Sequence, residues 1–216
     1  EDMRSKFDEQ LALLNRDLTK MGSLCEEALA LAAKALANAD GQTAAKIAPI
    51  DSEIDQMERT IESLCLKLLL QQQPVARDLR QISAALKMIT DMERIGDQAS
   101  DIAEIIGFLN GRIGTDAQYI CQMAVAAMRM VTESVEAYVK RDVAMAEATI
   151  QHDDVVDDLF LKVKESLIQM ISENPKDGEY ALDLLMIAKY FERIGDHATN
   201  IAEWVVFSVT GVHEQV

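Results

Sequence analysis

The sequence predicts an all-α fold of two tandem three-helix bundles related by a pseudo-twofold, six long helices in all. Three observations predict it. The 216 residues include only 3 Pro and 9 Gly, with 5% aromatics and an abundance of Ala, Leu, Met, Glu and Lys, a composition that favours helix over sheet. Apolar residues recur in alternating steps of four and three, which lays a stripe along one side of a helix. The pattern is also written twice, because Glu-Arg-Ile-Gly-Asp at 93–97 returns unchanged at 192–196. Two units fit a chain of this length, each with a substantial core.

The first helix carries Phe7, Leu11, Leu14, Leu18, Met21, Cys25, Ala28, Ala32 and Ala35 on its seam. Side chains shrink toward Ala35, which permits close helix approach, and Asp40-Gly41 breaks the helix. The second bears Ile47, Ile50, Ile54, Met57, Ile61, Leu64 and Leu68, with Pro49 either opening it or kinking it. Pro74 separates it from a third helix that runs to about Phe108. Gly107, Gly111 and Gly114 mark a linker, placing one repeat at 3–110 and the next at 111–209. Helix four is read from Ile120, Met123, Ala127, Met130, Ser134 and Ala137. Helix five is read from Val156, Phe160, Val163, Leu167 and Met170. Asn174-Pro175 turns into helix six, which ends near Val209. The duplication extends beyond the five-residue string. Met21, Asp40, Asp51 and Asp55 match Met123, Asp142, Asp153 and Asp157 at one common spacing.

The net charge of −16 comes from 37 acidic and 21 basic residues. It argues against nucleic acid, whose binding depends on Lys and Arg, and against anionic membrane surfaces. Cations and basic protein surfaces are the partners such a field attracts. No apolar run approaches the roughly 20 residues of a membrane span, so no membrane insertion is expected. Without a hydrophobic signal core at the start, a cytoplasmic location is expected. Cys25, Cys65 and Cys121 form no Cys-x-x-Cys, and a core role suits Cys25 best.

The repeated string sits on an acidic stripe. At about 100° per residue, Glu93, Asp97, Ser100, Asp101 and Glu104 share one face of the third helix, while Ile95, Ala99, Ile102 and Ile106 share another. Each unit adds a second acidic pair, Asp51/Asp55 and Asp153/Asp157. Like charges four apart cost only about 0.2–0.5 kcal/mol on an exposed helix, so a solvated face accounts easily for Glu58, Glu62 and Asp158. It accounts poorly for a string kept twice. Hard or borderline cations with carboxylate and water ligands would relieve the repulsion. Arg94 and Arg193 are read as internal counter-ions, with Arg94 reaching Asp91 or Asp97. Gly96 and Gly195, each costing roughly 1 kcal/mol inside a helix, point to close packing against a neighbour. His152 and His197 lack counterparts in the other repeat and are read as ordinary polar residues.

Two stretches carry a resemblance. Glu93 to Asp97 and Glu192 to Asp196 resemble the Glu/Asp-x-x-x-Asp signature of the PhoU family, the phosphate-uptake regulators of bacteria. Gln72-Gln73-Pro74-Val75-Ala76-Arg77-Asp78-Leu79-Arg80 resembles the turn that precedes it. The resemblance runs from Met3 to about Phe207. It implies metal ions held by Glu93, Asp97 and Asp101 with Asp51 and Asp55 facing them. A second set would be Glu192 and Asp196 with Asp153 and Asp157, and Asn200 stands where Asp101 does. Iron, manganese, magnesium and zinc all suit such ligands. The resemblance further implies a non-enzymatic adaptor that represses the phosphate-starvation response. Its partners would be the nucleotide-binding subunit of a phosphate ABC transporter and a phosphate-sensing histidine kinase, and it would form a homodimer. Two other readings stand beside it. A carboxylate-bridged metal enzyme on a helical bundle would pair Glu with Glu-x-x-His, a motif that Thr149, Ile194 and Thr210 exclude at the positions three before each histidine. A purely structural helical module would need the repeat to be residual ancestry alone.

Overall fold

The computed structural model describes residues 3–71, 73–112 and 117–213, and every regular element among them is a helix. Six long helices are present: α1 (Met3–Asn38), α3 (Ile47–Gln71), α4 (Ala76–Phe108), α5 (Ala117–Lys140), α7 (Asp153–Glu173) and α8 (Gly178–Thr210). Two short ones were not foreseen, α2 (Gly41–Ala45) and α6 (Val143–Gln151). The matched aspartates explain them. Asp40 caps α2 by accepting from the Gln42 N–H at 2.9 Å and the Thr43 hydroxyl at 2.7 Å. Asp142 caps α6 through the Met145 N–H at 3.0 Å. The residue before each cap, Ala39 and Arg141, adopts a left-handed backbone that ends the preceding helix.

Pro49 is the third residue of α3, where no intrahelical N–H donor is required. Gly107, expected in the linker, lies in the last turn of α4; the linker follows, with Gly111 at φ 75, and Gly114 and Gln72 lie outside the described residues. Arg112 fastens the linker to the second repeat, since its guanidinium pairs with Asp177 at 3.0 Å and lies 3.8 Å above the Tyr180 ring. Asn174 accepts from the Lys176 N–H at the turn into Pro175–Asp177, a single 3-10 turn ahead of α8.

Packing joins the repeats through their longest helices. α1 lies on α3, α4 and α5, while α8 lies on α4, α5 and α7. Cross-repeat contacts run antiparallel: Glu26 meets Thr132 and Ala33 meets Cys121 between α1 and α5. Between α4 and α8, Asp91 meets His197 and Asn200. One hydrophobic core passes through both repeats. The seam residues Phe7, Leu14, Leu18, Met21, Cys25, Ala28, Ala32 and Ala35 are buried. So are Ile95, Ala99, Ile102 and Ile106, the apolar stripe of the motif helix. Cys25 and Cys65 are buried free thiols, and desolvation pushes both up to about 12. No helix among the described residues is long and apolar enough to cross a membrane.

Candidate metal centre

The two motif glycines make the acidic faces. A β-carbon on Gly96 would stand 2.8 Å from Asp51 Oδ1 and 3.0 Å from Ile54 Cδ1. One on Gly195 would stand 3.2 Å from Asp153 Oδ1 and 3.3 Å from Val156 Cγ1. In each repeat the missing side chain lets the acidic pair of the neighbouring helix (α3 or α7) settle against the motif helix. Without that approach the carboxylates of two helices would not share a site.

In the first repeat they do. Asp51, Asp55 and Asp97 each bring a carboxylate oxygen within 4.8 Å of the others. Ser100 donates to Asp51 Oδ2 at 3.0 Å. Asp51 Oδ1 and Asp55 Oδ1 are buried and have no hydrogen-bond partner. Burial pushes Glu93 up to about 7, with a hydrogen bond to Asp97 and the charges of Asp97, Glu58 and Asp55 adding to it. Asp51 and Asp55 are also raised, first by burial; Asp55 and Asp97 then act on Asp51, and Asp97 on Asp55. Asp101 is raised by burial and by Asp97 and Glu104, against the opposing charge of Arg193 from α8.

Glu58 belongs here as well, contrary to its reading as a solvated residue. Its Oε2 is buried without a partner, and burial followed by the charge of Asp55 raises its pKa. Its position, seven after Asp51 and three after Asp55, was the available signal. Arg94 differs from expectation too. It reaches Glu93 at 3.9 Å rather than Asp91 or Asp97.

The second repeat is looser, and a lysine enters its acidic face. Asp153 and Asp157 lie on α7, and Glu192 and Asp196 on α8. Asp153 is pushed up to about 7 by burial, then by Asp157 and Asp196, and its Oδ1 has no partner. Glu192 is engaged by Lys189, whose ammonium donates to Oε1 at 2.6 Å. Phe160 occupies the place of Glu58, and Lys189 stands 5.4 Å above its ring. Asn200, expected in this set, points instead to the other repeat and donates to Asp91 Oδ1 at 3.3 Å. His197 contacts the same oxygen at 2.9 Å, as an ordinary polar residue would. The substitutions run both ways. Phe160 for Glu58 and Asn200 for Asp101 each remove a negative charge and Lys189 for Thr90 adds a positive one, while Asp154 for Ser52 and Asp158 for Gln56 add negative charge.

These residues fit a cation. Buried carboxylate oxygens without donors are costly, and an all-oxygen donor set suits hard or borderline metal ions. In the first repeat Asp51, Asp55, Glu93 and Asp97 would hold it, with Glu58 and Asp101 beside them. In the second, Asp153, Asp157, Glu192 and Asp196 would.

Fold and site together define a duplicated helical scaffold with a carboxylate face on each half. Residues 18–106 and 120–205 each match the family model described as the PhoU domain, and the chain belongs to the PhoU family. A relative from Clostridium acetobutylicum, named a phosphate-specific transport system accessory protein PhoU homolog, is 36% identical over 210 residues, 96% of each chain. One of the same name from Pseudomonas aeruginosa is 34% identical over 95% of this chain and 86% of its own. The crystal structure of PhoU from Pseudomonas aeruginosa superposes with a TM-score of 0.90 at 34% identity, covering 95% of this chain and all of that one. The regulatory protein PhoU of the Streptococcus pneumoniae phosphate transport system gives 0.87 at 26% identity, over 97% of this chain and all of that one.

Proposed function

We propose that this protein regulates phosphate transport and phosphate-starvation signalling as a non-enzymatic adaptor, with metal ions seated on its two acidic faces. The observation that carries the reading is the end-to-end similarity to accessory proteins of phosphate-specific transport systems. The residues supply its physical sense. A scaffold whose polar faces recur on both repeats, 3–110 and 111–209, can present two related surfaces to a partner. The partners are the cytoplasmic nucleotide-binding subunit of a phosphate ABC transporter and a phosphate-sensing histidine kinase. The protein works in the cytoplasm, as a homodimer. Iron, manganese, magnesium or zinc, held by the carboxylates, would cancel the repulsion that now opposes their close approach and so fix the relative position of α3 and α4.

Deleting the gene tests the reading. Phosphate-starvation genes should then be expressed even in rich phosphate, and a plasmid copy should restore repression. A deletion strain that represses those genes normally would reject the regulator role.

A further inference from the structure

The second motif singled out in the sequence, ending in Arg77-Asp78-Leu79-Arg80, takes no part in the acidic faces. It opens α4 and gathers the opposite charge in a chain of net charge −16. Tyr138 ties the end of α5 to it by donating its hydroxyl to the Gln81 carbonyl at 2.9 Å. Arg141, in the turn after α5, thereby joins Arg77 and Arg80. Burial and the charges of those two arginines depress its guanidinium, while Tyr138 and Asp78 oppose them. Arg80 runs beneath the last turn of α8, its Cδ 3.4 Å from where a β-carbon on Gly211 would stand.

The group has a surplus of donors. Asp78 is buried and already accepts from Arg4 at 3.0 Å. Among the described residues no carboxylate forms an ion pair with Arg77, Arg80 or Arg141, and Arg80 Nε and Arg141 Nη1 are buried without an acceptor. Guanidinium groups so placed favour an oxyanion, which their planar fork can bind through paired, charge-assisted hydrogen bonds. Val75 gives α4 no side-chain cap, so the positive end of a long helix adds to the field.

The duplication supplies an internal control. Position 39 of the first repeat corresponds to 141, and both adopt a left-handed backbone, φ 46 and φ 56. The first repeat places alanine there, so the turn itself does not require arginine.

We infer that Arg77, Arg80 and Arg141 form a binding site for a phosphate-type oxyanion, either free inorganic phosphate or the phosphate group of a nucleotide. The inference goes beyond the regulator reading and is tested on purified, metal-free protein, so either can fail without the other. Calorimetric titrations at constant ionic strength with inorganic phosphate, with sulfate and with ATP test it. Saturable binding of inorganic phosphate is expected. Arg141→Gln should weaken it about tenfold or more, the loss of one charge-assisted hydrogen bond. Arg77→Gln, which alters an exposed side chain, should do likewise, and it keeps the test open should Arg141→Gln not fold. Lys164→Gln, which removes an exposed positive charge on α7, a helix that does not pack on α4, should leave binding unchanged. Binding of ATP alone, lost in the same arginine variants, supports the site with a nucleotide as its source. No saturable binding of any of the three anions, or binding that survives both arginine changes, overturns it.

Discussion

Alanine at position 96 should lower the melting temperature, whereas the same change at position 107 should raise it. Both glycines lie inside α4, where alanine is intrinsically better by about 1 kcal/mol. At 96 the new methyl would stand 2.8 Å from Asp51 Oδ1 and 3.0 Å from Ile54 Cδ1. Asp51 is held by Ser100 at 3.0 Å and Ile54 is fully buried, so neither neighbour yields freely. Overpacking of this kind costs about 1–3 kcal/mol, leaving a net loss of up to about 2 kcal/mol once the propensity gain is subtracted. For a chain of this size each kcal/mol shifts the midpoint by about 2–4 °C. Gly96→Ala should therefore melt lower, by up to about 8 °C. Gly107 has nothing within 4 Å of its β-carbon position, and Gly107→Ala should gain about 2–4 °C, slightly less for its place near the helix end. Gly195→Ala, with contacts of 3.2 and 3.3 Å, should fall between them. Calorimetric melts of the three variants in chelator decide it. If Gly96→Ala gains as much as Gly107→Ala, the close approach of α3 to α4 at this glycine is wrong.

The acidic faces make further predictions. Added metal should raise the melting temperature by linkage, and Glu93→Gln with Asp97→Asn should abolish part of that gain; unchanged melting with every metal tried would reject the sites. Lys189→Gln should free Glu192 and tighten metal binding in the second repeat, which calorimetry would register as a smaller gap between two affinities; a weaker second site would contradict the role given to Lys189. Glu93 and Asp153 are both pushed up to about 7 in the fold, so the native protein holds more protons than the unfolded chain across the window below that value. Stability of the metal-free protein should then fall as pH rises from about 5 toward 8, and a rise over that range would refute the assignment. Asp142→Ala should remove the cap of α6 at a cost of about 0.5–2 kcal/mol, read as a lower midpoint in thermal melts.

Much of the fold was legible because it rests on local periodicity. The seam from Phe7 to Ala35 and the stripe from Ile95 to Ile106 follow helical spacing, and apart from the half-buried Leu11 both are buried. The duplicated glycines pointed to close packing, and the contacts at Gly96 and Gly195 supply it. Less was legible where the partner lies on another helix. Asp40 and Asp142 were visible as a matched pair, but their role as caps depends on a left-handed residue before each. Glu58 read as solvated because its own helix offers it water, and only the approach of α4 places it beside Glu93. Asn200 occupies the position of Asp101 in the repeat, yet its partner Asp91 is set by the antiparallel contact of α4 with α8, which no repeat register encodes. Lys189 likewise escaped notice, since a single lysine three residues before Glu192 is common on any helix surface.

The role proposed for this scaffold is phosphate signalling by contact with other proteins. It is tested most directly by affinity capture of the tagged chain from its native cells, grown in rich phosphate and in phosphate starvation. Capture of the transporter's nucleotide-binding subunit and of the histidine kinase is expected from phosphate-replete cells. It should weaken at high salt and when Asp101 and Glu104 are both changed to Lys in a variant that melts normally. Absence of both partners under either condition would contradict the account.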